Sequence, residues 1–173
     1  MTGLPIAAIV YGKGDRIDEF MVATTRRLAA AGLTVGGLVQ HNVKISPDIR
    51  AVMEVEDLMD GRRMTISEER GMHARGCLLD ARGLAEAAVS ITAAIRAGVD
   101  VVVVNKFGKQ ESLGEGFSAE IGEAVASGLT VLTAVRDDLL PEWTRFAGDE
   151  WTRLSLDESE VLGWCRARRR VAA

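Results

Sequence analysis

"IAAIVYGKGDRIDEF", Ile6 to Phe20, decides how this chain reads. Ile6–Tyr11 is an apolar, β-prone run. Gly12 and Gly14 make a turn, and Ile17, Phe20, Met21, Thr24 and Leu28 then recur at helical spacing up to Gly32, a suitable stop. The order strand, glycine turn, helix is where a nucleotide-binding protein places its phosphate loop. That loop, G-x-x-x-x-G-K-[ST], sets its lysine on the β/γ-phosphates and its hydroxyl on magnesium. Here Asp18 and Glu19 fall near the places of the lysine and the hydroxyl, so the local sign is reversed. A carboxylate facing a triphosphate is repelled unless a metal bridges them.

Beyond this unit, strand and helix alternate. Leu33–Gln40 reads as a second strand, and its Gly36-Gly37 pair admits a close neighbour. His41–Asp48 is polar and reads as a loop. Ala51–Leu58 and Arg62–Ile66 flank Met59-Asp60-Gly61, and Asp-Gly predicts a β-hairpin inserted between parallel units. Ser67–Gly76 is irregular. A long amphipathic helix runs from Asp80 or Ala81 to Ala97, closed by Gly98. Val99–Val104, the most apolar run, predicts a central parallel strand covered on both faces. A helix at Ser118–Ser127, with Ser118 as N-cap, leads to a strand at Thr130–Val135. Helices at Leu139–Phe146 and Glu158–Arg168 enclose a short strand near Thr152–Leu156. The expectation is an α/β fold over residues 1–173 as one domain, its mostly parallel sheet covered by helices on both faces.

Bulk composition excludes several classes. The 173 residues are 47% hydrophobic and 27% charged, which fits a globular core. A formal net charge of −4 gives no support for nucleic-acid binding, and the basic tail Arg166, Arg168, Arg169, Arg170 reads as a solvated helix end. No apolar run approaches the roughly 20 residues of a membrane span. With two cysteines, Cys77 and Cys165, no disulfide framework is implied and a reducing cytoplasm is the expectation.

In open parallel sheets, ligands gather beyond the carboxyl ends of the strands. Gly12–Arg16, Asn105–Gly116 and Arg136–Asp138 all arrive there, bringing Lys13, Arg16, Lys106, Lys109 and Arg136 to one edge. Glycine-rich backbone adds amide donors for an anion. The expected ligand-binding set is therefore Gly12, Lys13, Gly14 and Asp15 on one wall, Asn105, Lys106 and Lys109 on the other, with Arg136 beside them. The central strand ends in Asn105-Lys106, where a metal-binding strand ends in acids, so no metal or other cofactor is expected. Asn-Lys-x-Asp would read guanine, but Gly108 stands where the aspartate is needed. Cys77 with His73 makes a poor metal pair. His41 either faces the ligand edge or is solvated in its loop. Trp143, Phe146, Trp151 and Trp164 read as core and cap packing. Glu68-Glu69 and Asp137-Asp138 read as solvated loop charges, and no catalytic triad stands out.

These residues carry a resemblance. The glycine turn, the hairpin "MEVEDLMDGRRMTIS" and "GCLLDARGLAEAAVSITAAIRAGVDVVVVNKFGKQES" resemble small P-loop nucleoside triphosphatases of the thermophilic NTPase type. In those, the equivalent strand ends Asp-Glu-x-Gly-Lys-x-Glu. Gly108, Lys109 and Glu111 match, while Asn105 and Lys106 replace the acidic pair. "GLVQ", "GCLLD" and "VVVVNKFGKQE…GEGF" are closer to a bacterial domain family of unknown function, found alone or fused to ATP-binding proteins of molybdate transport. That resemblance spans about Ile6 to Leu154. It implies a P-loop-like fold without the standard catalytic equipment, a molybdenum context, and a molybdate-transport ATPase as partner. The reading is a non-catalytic binder of a small oxyanion, such as molybdate, or of a nucleotide or other phosphorylated ligand. One alternative is a nucleoside-triphosphate phosphohydrolase using Lys13 or Lys106, with Asp15, Asp18 or Glu111 on magnesium. The other is an interaction module that binds no ligand.

Overall fold

The computed structural model describes residues 3–44, 46–48, 51–67 and 79–169. Its elements are β1 (Ile6–Tyr11), α1 (Ile17–Ala30), β2 (Val35–Val43), β3 (Val52–Asp57), β4 (Arg63–Thr65), α2 (Ala81–Ala97) and β5 (Val101–Val104). They continue with α3 (Lys109–Ser112), α4 (Ser118–Ala126), β6 (Thr130–Arg136), α5 (Leu140–Ala147), β7 (Thr152–Leu154) and α6 (Glu158–Ala167). The seven strands form one sheet in the order β4-β3-β2-β5-β6-β1-β7. From β2 to β7 every pairing is parallel, and the hairpin β3–β4 adds an antiparallel edge beside β2.

The expected α/β fold is the observed one, and the reason is burial. All four valines of β5 are buried, so this strand needs apolar cover on both faces. Val102 and Val104 face a layer with Ile91 of α2, Ile121 of α4 and Trp143 of α5. Val101 and Val103 face the opposite layer, with Met21 and Leu28 of α1 and Val161 of α6. Trp143 and Phe107 are buried, and the partly buried Trp151 and exposed Phe146 pack against them with ring centroids 5.1 to 6.0 Å apart, which is the expected core and cap packing. Among the described residues, no helix is long and apolar enough to cross a membrane.

The Gly36-Gly37 pair is where β2 is pressed hardest. A Cβ on Gly36 would lie 2.5 Å from the Cβ of Ala94 in α2. At Gly37, with φ +101°, a Cβ would lie 2.0 Å from the backbone oxygen of Val103 in β5.

Several local expectations change. β2 runs to Val43, so His41 and Asn42 belong to a paired strand, with β3 supplying partners that hold them extended. The N-cap of α4 is Phe117, with no capping side chain, and Ser118 is already helical. A 3-10 turn, Asp137–Leu139, precedes α5, and the short α3 had no periodic signal. α2 keeps its expected caps: Asp80 accepts from the Arg82 amide at 3.0 Å and Gly98 is left-handed. Residues 68–78, which include His73, Cys77 and the Glu68-Glu69 pair, lie outside the described residues, as does Arg170.

Gly37→Ala is expected to cost about 3 kcal/mol or more, because neither strand can yield without breaking ladder bonds. Equilibrium urea unfolding checks this through a lower midpoint at unchanged slope.

Candidate functional site

The Gly12–Arg16 turn is self-braced. The Gly12 amide donates to Asp15 Oδ2 at 2.7 Å, and the Asp15 amide donates back to the Gly12 carbonyl at 3.1 Å. Asp15 is thus a turn carboxylate and not a wall of an open pocket. Arg16 caps α1 by backbone position alone, with no hydrogen bond from its own side chain to the first-turn amides.

Asp18 lies in the first turn of α1 and is the centre of the edge. Its Oδ1 accepts from Asn105 Nδ2 at 2.7 Å and pairs with Lys106 Nζ at 3.1 Å. Its Oδ2 accepts from Asn42 Nδ2 at 2.8 Å and from Lys106 Nζ at 3.4 Å. Asn105 is buried, and its Oδ1 accepts from the Gln40 amide at 2.8 Å, which aims Nδ2 at Asp18. Gln40 Nε2 donates to Asn42 Oδ1 at 3.0 Å and orients that amide in the same way. The pair is partly sheltered, with 28% of the Lys106 side chain and 18% of the Asp18 side chain exposed.

The expected positive edge is therefore not what forms. Lys106 is held by Asp18, and Arg16 by Glu19. Arg136 makes two bonds to Asp138, at 2.6 and 2.8 Å. Asp138 also lies close enough to Lys13 for that cation to help hold its carboxyl below the usual range, after the larger effect of Arg136. Arg16, Lys106 and Arg136 each meet an acid brought by the same loop or another. Asp137 and Asp138 were expected to be solvated charges, and Asp138 proves to be an arginine's partner.

Asn105, Lys106 and the Gly12–Asp15 turn do share the carboxyl edge, and β1–β6 pairing sets Tyr11 opposite Arg136. Lys109, three residues beyond Lys106, is exposed. It opens α3, which packs on α4 and α5, in the layer across the sheet from α1. The chain is steered there because Phe107 bridges to Val135 and its ring is buried against Trp143. Glu111 is buried and accepts from the Gly108 amide at 2.9 Å and the Phe117 amide at 3.2 Å, so it organises the loop. Asp15, Asp18 and Glu111 thus all have partners, and among the described residues no three His, Cys, Asp or Glu side chains gather as metal ligands.

Asn42, Gln40 and Tyr11 were not singled out by sequence. Asn42 reads as a loop residue until β2 is seen to continue. Tyr11 joins the two halves of the edge. Burial pushes its phenol pKa up, Asp18 raises it further, Arg136 lowers it and Asp138 raises it. His41, neither solvated nor at the ligand edge, bonds Glu56 Oε1 at 3.0 Å. Glu56 is 5% exposed and is gripped by both Arg26 nitrogens at 2.8 Å. That fork, with desolvation opposing it and His41 assisting, lowers its pKa.

The fold is an α/β sheet covered by helices on both faces, of the kind seen in small nucleoside triphosphatases. The solution structure of a human cancer-related nucleoside triphosphatase superposes with a TM-score of 0.63 at 15% identity, over 96% of this chain and 95% of that one. The crystal structure of THEP1 from the hyperthermophile Aquifex aeolicus gives 0.65 at 14% identity, over 91% and 95%. The chain belongs to the family described as protein of unknown function DUF2478, whose model matches residues 6–164. It is also 38% identical, over 161 residues, to the molybdenum import ATP-binding protein ModC 2 of Bradyrhizobium diazoefficiens. The match takes in 93% of this chain but spans 18% of that protein's length.

Tyr11 is the single tyrosine, so tyrosinate absorbance reports it alone. Its midpoint is expected above the ordinary value of 10, to fall in Asp18→Asn and to rise in Arg136→Ala. The lowered pKa of Glu56 stabilises the fold at neutral pH, and that stability is lost as pH falls from about 4.5 through the depressed folded value. Acid melting curves should therefore drop more steeply for the native chain than for Glu56→Gln.

Proposed function

We propose that this chain is a non-hydrolytic binding module on a P-loop-like frame. It holds a small oxyanion, or the phosphoryl end of a phosphorylated ligand, at the carboxyl edge of the sheet, in the service of molybdenum handling. The observation that carries the reading is the Asp18–Lys106 pair, 3.1 Å apart. By spacing from Gly12, Asp18 stands where a phosphate loop has its lysine, and Lys106 stands where the equivalent strand keeps an acid. Both signs are inverted at once. A magnesium–triphosphate would meet a carboxylate at its phosphates and an ammonium at its metal, and neither substitution alone would leave a balanced pair. The phosphate loop is in this sense degenerate, and magnesium chemistry does not fit the residues present.

Anion binding asks for less. Asp18 is already neutralised by three donors, so an anion approaching from the Lys13 side does not face a bare acid. The uncapped first-turn amides of α1 add partial positive charge there. Tetrahedral molybdate is close to phosphate in size and charge and suits the same donors. The ModC-named relative supports the molybdenum setting. It also favours a second reading, a module that docks on such an ATP-binding protein without a ligand. Hydrolysis of a nucleoside triphosphate by displaced residues is the remaining alternative.

Equilibrium dialysis against molybdate, tungstate, sulfate, phosphate, ATP and GTP separates these. Magnesium-independent oxyanion binding is expected, weakened about tenfold by Lys13→Ala through loss of one charged donor. No phosphate release is expected with any magnesium–nucleotide. Magnesium-dependent release would replace this reading with the enzyme, and binding of nucleotide alone would remove the molybdate assignment. A chain that binds no anion yet associates with the purified ATP-binding subunit of a molybdate transporter would favour docking.

A further inference from the structure

The donors around Asp18 have the form of an anion site whose occupant belongs to the chain itself. Asn42 comes from β2, and Asn105 and Lys106 from the turn that follows β5, yet they converge on a single carboxylate. Two of them are aimed independently of Asp18. The Gln40 amide fixes Asn105 at 2.8 Å, and Gln40 Nε2 fixes Asn42 at 3.0 Å. Removing the carboxylate would leave both side-chain amides pointing at the same spot, beside an uncompensated and half-sheltered ammonium. Asp18 itself is on the exposed-side margin of the first helical turn, next to solvated Glu19, so rotation about its side-chain bonds carries the charge to water.

We propose that Asp18 is a tethered competitor. A tetrahedral oxyanion, free or terminal on a phosphorylated ligand, binds by displacing the Asp18 carboxylate from Asn42, Asn105 and Lys106. The proposal rests on the anion-binding reading above and deepens it, because it makes the site self-closed in the absence of ligand. The chemistry is balanced by exchange. The bonds Asp18 leaves are remade to the ligand's oxygens, and the released carboxylate is hydrated. A ligand with two negative charges gains more from Lys106 than a single carboxylate does, which gives the exchange its direction and selects dianions over chloride or acetate. The competition also sets a ceiling on affinity for weakly charged anions, since the tethered group is always at high local concentration.

The test is dialysis of molybdate, with inorganic phosphate, sulfate and a nucleoside diphosphate as parallel probes, against four versions of the 173-residue chain. Asp18→Ala is expected to bind at least one of these about tenfold more tightly than the native chain, as removal of a sheltered competing charge implies. Glu19→Ala removes a neighbouring acid that does not touch the donors, and should change affinity by less than about twofold, as for a solvated charge. Asp18→Ala combined with Lys106→Ala should lose the gain. If Asp18→Ala does not melt cooperatively, Asp18→Asn, which keeps the shape and removes the charge, is read by the same criterion. Gain with free oxyanions identifies a free anion as the ligand class, and gain confined to the diphosphate identifies a phosphorylated one. No gain with any probe, or an equal gain in Glu19→Ala, overturns the proposal. A native chain that binds a probe with no gain in Asp18→Ala overturns the displacement and leaves the anion-binding function standing, whereas a native chain that binds no probe overturns both.

Discussion

Both faces of β5 must be kept dry, and most of the molecule follows from that. Four consecutive buried valines cannot be satisfied by one layer of helices, so α2 and α4 lie on one side and α1 and α6 on the other. With β2 and β6 as its parallel neighbours, β5 can end only at the centre of the carboxyl edge. Its two following residues, Asn105 and Lys106, are therefore delivered to the first turn of α1, where Asp18 waits. A dry strand and a polar pair are consecutive in the chain because the strand's end is where water and ligands can enter.

Much of the charge along the edge is paired and not accumulated. Three of the cations are paired with carboxylates: Lys106 with Asp18, Arg136 with Asp138, Arg16 with Glu19. The first of these is sheltered and reinforced by two side-chain amides, whereas the Arg16–Glu19 pair is exposed and contributes little. A sheltered pair is seldom a large source of stability, because desolvation offsets the attraction. Its value lies in geometry. It fixes where the end of β5 and the start of α1 sit, and it holds three donors on one point.

The amino-acid sequence was informative wherever local physics decides. Asp60-Gly61 predicted the hairpin, and β3 and β4 pair antiparallel across it. Asp80 and Gly98 bounded α2 at both ends. Gly36-Gly37 announced a close approach, and Ala94 and Val103 fill the space a side chain would need. Expectation and structure part where a neighbour distant in sequence overrides the local signal. His41 and Asn42 look like loop residues because both are polar, but β3 extends the ladder through them. Lys109 looks like a companion of Lys106, but burial of Phe107 turns the chain to the other layer. Glu111 reads as an alternative magnesium ligand, but two backbone amides of its own loop claim it.

What the sequence by itself determined is the alternation of strand and helix, the inserted hairpin, and the reversed signs at Asp18 and at Asn105-Lys106. Each of these depends on spacing within a few turns of chain. Only the tertiary structure decided that the two reversed signs face each other and cancel. Asp18 and Lys106 are 88 positions apart, and their meeting depends on sheet order and on the path of β2 between them. Charge can be read from residue type, but whether a charge is available depends on what the fold sets within about 4 Å of it, and no local pattern encodes that distance.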